Sequence, residues 1–183
     1  MKSLLPTMLA GTLVLAAGCA SNPRLASLPP VGPEPGSRSG PSRQGALEVY
    51  SARPLADQDV NMREYFWDDY LASNEFPRTP AHTGYAIYTG DGRFLQAVAN
   101  ASNPDDAQPT RVTLPPGLYQ IQAQARGHDP QPVTVRVPVL IRPGQTTSVH
   151  LEGNWQPPGS FTERDVVRLP NGDIVGWNAG HSS

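Results

Sequence analysis

Of the side chains in this sequence that could carry out chemistry, Cys19 is the one whose surroundings say what the chemistry is. It is the only cysteine among 183 residues and closes the run Leu13-Val14-Leu15-Ala16-Ala17-Gly18-Cys19. A thiol yields a nucleophilic anion near neutral pH more readily than any other side chain in that peptide. Ahead of it lie a charged start at Met1 and Lys2, an apolar stretch from Leu4 to Leu15, and the small residues Ala16, Ala17 and Gly18. Charged, apolar and small segments in that order are the layout of an export signal. The apolar part is shorter than the about 20 residues that a membrane-spanning helix needs.

The exit Ala16-Ala17-Gly18-Cys19 resembles the signal of bacterial lipoproteins, with Ala16 where leucine is commoner and Leu15 beside it. The resemblance implies that diacylglycerol is joined to the Cys19 sulfur, that residues 1–18 are removed, and that the new amine is acylated, with palmitate as a typical chain. Ala20 and Ser21 follow the cysteine where an aspartate would mark inner-membrane retention, so the same resemblance favours an outer membrane. An ordinary secretory signal with a free thiol at the cut is the competing reading.

Cleavage would also remove Lys2, the only lysine. Of 14 basic residues the 13 that remain are arginines, set against 16 carboxylates, a net charge of −3 with histidine neutral. That balance speaks against nucleic-acid binding, which leaves a basic footprint. Lysine chemistry such as a Schiff base is excluded, acylation would use up the one thiol, and no disulfide can form within the chain.

A second group of chemical residues lies between 52 and 82. Asp57, Asp59 and Asn61 at alternate positions, with Asp68 eleven residues after Asp57, have the outline of a calcium loop. Met62 stands where that loop turns on a glycine, and Asp68 is shorter than the bidentate glutamate, so a solvated acidic loop is the better expectation and no cofactor is expected. Nearby Tyr65, Trp67 and Tyr70 form a candidate binding surface. Their rings could stack against sugars, or could close one end of a small core.

The four histidines, His82, His128, His150 and His181, show no short ligand spacing. His150 sits between Val149 and Leu151, which places it on the solvent face of a strand. No Gly-x-Ser-x-Gly elbow is present, since Gly36-Ser37-Arg38-Ser39-Gly40 has arginine at its centre. A noncatalytic protein is expected.

The elements that must position these groups are strands. In Leu118 to Ala125, Tyr119, Ile121, Ala123 and Ala125 take one face and three glutamines the other. Val112 and Leu114 precede it, and Pro116-Gly117 suits a type II turn. Val133, Val135, Val137, Val139 and Ile141 alternate next, with Pro138 predicting a bulge or an edge. Arg142-Pro143-Gly144-Gln145 makes a further turn before Thr147, Val149 and Leu151. Upstream, Leu47 and Val49 form one strand, Tyr85 and Ile87 another, and Gly90-Asp91-Gly92 leads into Phe94 to Ala99.

About seven short strands with almost no helical pattern predict an all-β protein, a small antiparallel β-sandwich. The run Val112 to Ala123, the valine strand, Pro143-Gly144 and Val149-His150-Leu151 resemble the prealbumin-like modules called carboxypeptidase regulatory-like or PEGA-like domains. The resemblance implies a spacer or binding module and carries no ligand residues with it. Val166 to Trp177 reads as a C-terminal β-hairpin with Asn171-Gly172 in a type I′ turn, Leu169 facing Ile174 and Trp177 as an anchor.

The expected organisation is a signal peptide at 1–18, a lipidated cysteine and tether at 19–45, a sandwich at 46–153 with an insertion at 52–82, and a hairpin and tail at 154–183. The tether follows from Pro23, Pro29, Pro30, Pro33, Pro35 and Pro41 among glycines and serines, too little apolar surface to offset ordering. The whole predicts a noncatalytic cell-envelope lipoprotein, held to a membrane by its lipid anchor, whose β-module meets an unknown envelope protein or glycan. Carbohydrate or peptidoglycan binding through Tyr65, Trp67 and Tyr70 is the alternative, and a hydrolase is the third.

Overall fold

The computed structural model describes residues 28–53, 82–100, 108–126 and 132–181. Among them are ten strands and no helix: β1 (Val31–Gly32), β2 (Gly45–Tyr50), β3 (Tyr85–Thr89), β4 (Phe94–Val98), β5 (Val112–Leu114), β6 (Gly117–Ala125), β7 (Val133–Ile141), β8 (Thr146–His150), β9 (Val166–Arg168) and β10 (Ile174–Asn178). They form two open sheets, one of seven strands in the order β4-β3-β6-β7-β1-β10-β9 and one of three in the order β5-β2-β8. The expected all-β sandwich is therefore present, with more strands than the periodicity showed. Most pairs are antiparallel, but β1 runs parallel to β7 and β2 parallel to β8.

Period-two alternation explains the centre of the larger sheet. Strands β6 and β7 pair over nine residues without a slip, from Gly117↔Ile141 to Ala125↔Val133. Tyr119, Ile121, Ala123 and Ala125 are buried, as are Val137, Val139 and Ile141, and they meet Leu47, Val49, Val149 and Leu151 from the smaller sheet in one core. The valine face fades at its start, where Val133 is half exposed. Pro138 causes no bulge against β6, and on its other side β7 pairs with β1 only at Val139. The edge alternative is thus the one realised, from Val133 to Pro138.

Two turns differ from expectation. Gly117 has a φ of 159°, extended backbone at the start of β6, and not the left-handed value that a type II turn requires. In the C-terminal hairpin the Gly172 amide donates to the Leu169 carbonyl and the Leu169 amide to the Asp173 carbonyl, with Gly172 at φ +93°. This is a three-residue loop of a type I turn followed by a left-handed glycine. Pro170 is the cause: its ring fixes φ near the value that the second residue of a type I turn needs, which shifts the turn one residue earlier. Ile174 consequently faces Arg168 and not Leu169. Thr89 to Arg93 repeats the same loop, with Gly92 at φ +87°.

The largest correction concerns the expected tether. Residues 28–45, the described part of that segment, are held against the sandwich. Val31 is fully buried and bridges the sheet, opposite Val139 of β7 and Asn178 of β10, and Leu28 packs against the same core. Farther along, the Gly40 amide donates to Gly144 (2.8 Å), the Gly144 amide to Gln44 (2.9 Å), and Gln145 Nε2 to the Ser37 carbonyl (2.9 Å). Gly144 needs its lack of a side chain twice over, for φ +67° and because a Cβ would sit 2.2 Å from the Gly40 oxygen. Proline-rich backbone has little freedom to lose and few amides to satisfy, so one buried valine and a handful of hydrogen bonds suffice to seat it. The C-terminal hairpin likewise forms the end of the larger sheet through β10 and β1.

Candidate functional site

The outer face of the three-stranded sheet carries the most chemically varied surface among the described residues. Because Leu47, Val49, Thr147 and Val149 point into the core, alternation sends Glu48, Tyr50, Thr146, Ser148 and His150 outward. The parallel register of β2 and β8 sets Glu48 beside Ser148 and Tyr50 beside His150. Arg111, just ahead of β5, crosses this row: Nη1 donates to Glu48 Oε1 and Nη2 to Thr146 Oγ1, both at 2.8 Å. The Arg111 side chain is 60% exposed, so the pair adds little stability and serves to hold two planar groups in place.

Beside that row stands a column of rings. Tyr50 stacks on His150 with centroids 4.5 Å apart, His150 on Trp155 at 4.3 Å and 5° from parallel, and Trp177 meets Trp155 edge-on at 6.3 Å. His150 lies on the outer face as alternation predicts, yet it is not a surface histidine. The chain leaving β8 folds back and lays Trp155 over the imidazole, and Trp177 from β10 backs that indole. Burial in this stack, with the nearby His82 adding to it, pushes the His150 imidazole down to about 4. The ring is therefore neutral near pH 7, and its enclosed Nδ1 has no hydrogen-bond partner.

The N-terminal segment completes the site. Glu34, Ser37 and Arg38 wall one end of a cleft of about 420 Å³, with Trp155, Pro158 and Trp177 at another side and the Arg111–Glu48 row, Gln145 and Ser148 as floor. Ser37 Oγ is buried within this wall, away from the cleft surface, and has no hydrogen-bond partner. Two cations and two carboxylates line the cleft, so its charge is balanced.

A buried polar knot lies at the end of the same sheet. His82 Nδ1 is 2.7 Å from the Ser51 carbonyl and Nε2 is 3.2 Å from Arg53 Nη2. A carbonyl only accepts, so Nδ1 carries the proton and Nε2 accepts from the guanidinium. Asn100 Nδ2 donates to the Val49 carbonyl (2.7 Å) and to Ser51 Oγ (3.1 Å), while its oxygen accepts from the Thr110 amide (2.9 Å). The knot joins residues 51–53 to 82–83, and 100 to 110. His82 is thus buried and structural.

Cys19, the acidic set Asp57, Asp59, Asn61 and Asp68, and the aromatic set Tyr65, Trp67 and Tyr70 all lie outside the described residues. Among the described residues no group of three or more histidine, cysteine or acidic side chains could hold a metal ion. Sequence reasoning missed the cleft: alternation turns His150 outward, but no local pattern shows that Trp155 returns over it. Fold and site together define an all-β, two-sheet protein with a polar, aromatic-walled cleft. The chain matches no protein-family model, no curated protein and no solved structure.

Proposed function

We propose that this chain is a noncatalytic cell-envelope lipoprotein, anchored through Cys19, that displays a prealbumin-like β-sandwich as a binding module with the aromatic-walled cleft as its binding surface. The observation that carries this reading is the state of the ionisable groups around the cleft. Glu48 is held by Arg111, and His150 is pinned between two rings and neutral. General acid–base work needs a group that titrates near the working pH within reach of a substrate. A rigid site of fixed donors and acceptors with indole walls is suited to holding a ligand. The family reading is supported by the succession β5 to β8, whose long central hairpin follows the residues that carry the resemblance.

The anchor is tested by replacing Cys19 with alanine in cells. The expected result is loss of palmitate labelling and release of the protein from the membrane fraction, with globomycin causing the wild-type precursor to accumulate. A Cys19→Ala protein that remains membrane-bound, with no precursor build-up in globomycin, contradicts it.

A further inference from the structure

Resting on that assignment of the cleft as the binding surface, we infer that its ligand is a neutral saccharide, one or two sugar rings of an envelope glycan. Three features of the cleft select this class. The first is charge. Arg38 and Arg111 are matched by Glu34 and Glu48, so a phosphate or a strongly acidic ligand gains no net attraction, and neither does a cation.

The second is the pattern of unused hydrogen-bonding groups. Arg111 and Glu48 share one oxygen, leaving Glu48 Oε2 as an acceptor. The Arg38 guanidinium and the Ser148 hydroxyl, both on residues lining the cleft, make no hydrogen bond among the described residues. The cleft thus presents both donors and acceptors. Planar guanidinium and carboxylate groups each offer two sites at fixed spacing. A polyol, in which every hydroxyl both donates and accepts, satisfies such a mixture.

The third is the position of the apolar surface. Trp155, Pro158 and Trp177 supply it, beside the polar side chains of Glu48, Arg111, Gln145, Thr146 and Ser148. A sugar ring has the same division, with C–H faces and a hydroxyl rim. A hydrophobic peptide anchor would call for an apolar floor. The volume of about 420 Å³ lies toward the small end of ligand cavities, roughly 300–1,000 Å³.

The test uses the full-length chain in detergent micelles on a printed array of neutral, N-acetylated and acidic oligosaccharides, with a peptide array beside it. Binding to neutral or N-acetylated spots is expected. Ser148→Tyr, which fills the floor from the outer face of β8, should weaken it about tenfold or more, and Arg38→Ala about threefold or more. Arg38 is exposed, so this variant keeps the fold and carries the test should Ser148→Tyr melt early. Binding to peptides or acidic spots alone, lost in the same variants, overturns the saccharide and leaves the cleft as the binding surface. Saccharide binding that survives both variants but is lost in Phe94→Ser, on the exposed edge strand β4, overturns the placement. No binding on either array overturns the saccharide and the binding module together.

Discussion

Replacing Val31 with aspartate is expected to destabilise the protein by about 4 kcal/mol or more, because it puts a carboxylate into the apolar core. Val31 is fully buried between β7 and β10 and shares the core with Leu47 and Val149. Val31→Ala should cost about 2 kcal/mol, the loss of two methyl groups plus the cavity they leave. The size of the effect decides between two accounts of residues 28–45. In a disordered tether either change would fall within about 0.5 kcal/mol of neutral. Urea unfolding followed by tryptophan fluorescence measures the difference. The same variants should loosen the cleft, since Glu34, Ser37 and Arg38 follow directly on β1.

Acid should destabilise the fold through His150. The unfolded imidazole titrates near 6.5, whereas in the folded protein burial holds it down to about 4. Between those values the unfolded chain binds the extra proton and the folded chain does not. Stability is therefore fully present above about pH 6.5 and is lost as pH falls toward 4, by up to roughly 3 kcal/mol. His150→Phe keeps a flat ring between Tyr50 and Trp155 and removes both the titration and the unpaired Nδ1. Its stability should change less over that interval by about the same amount. Carboxylates such as Glu163 and Asp165 titrate identically in both proteins, so the wild-type minus variant difference isolates the imidazole. Equal acid sensitivity in the two proteins would show that the stack exerts no hold on the proton.

These two positions also show how far local sequence carries. Strands β6 and β7 were legible because Tyr119, Ile121, Ala123 and Ala125 alternate with glutamines long enough for a period of two to stand out. Strand β1 has two residues and therefore no period. Averaged over residues 20–45 its composition is that of a flexible chain, and the burial of Val31 depends on a gap between β7 and β10 that only the assembled sheet creates. For His150 the face was legible but the cover was not. Alternation says which way a side chain leaves its strand, and nothing in that period says that Trp155 returns over it. The hairpin turn differs in kind: Pro170 stood in the sequence and already favoured the three-residue loop over Asn171-Gly172 alone. The candidate site was the least legible part, since its floor comes from β2, β5 and β8 and its walls from segments more than a hundred residues apart.

The central claim is that the cleft is where this protein meets the envelope. Hydrogen–deuterium exchange of the full-length chain, with and without a solubilised envelope fraction, tests it without assuming the ligand's class. Slowed exchange is predicted at residues 34–38 and 145–158, the two sides of the cleft, with β3, β4 and the exposed face of β6 unchanged. Slowing confined to residues 54–81, or to β4 and β6, would contradict the account and move the binding surface to the aromatic insertion or to the opposite sheet.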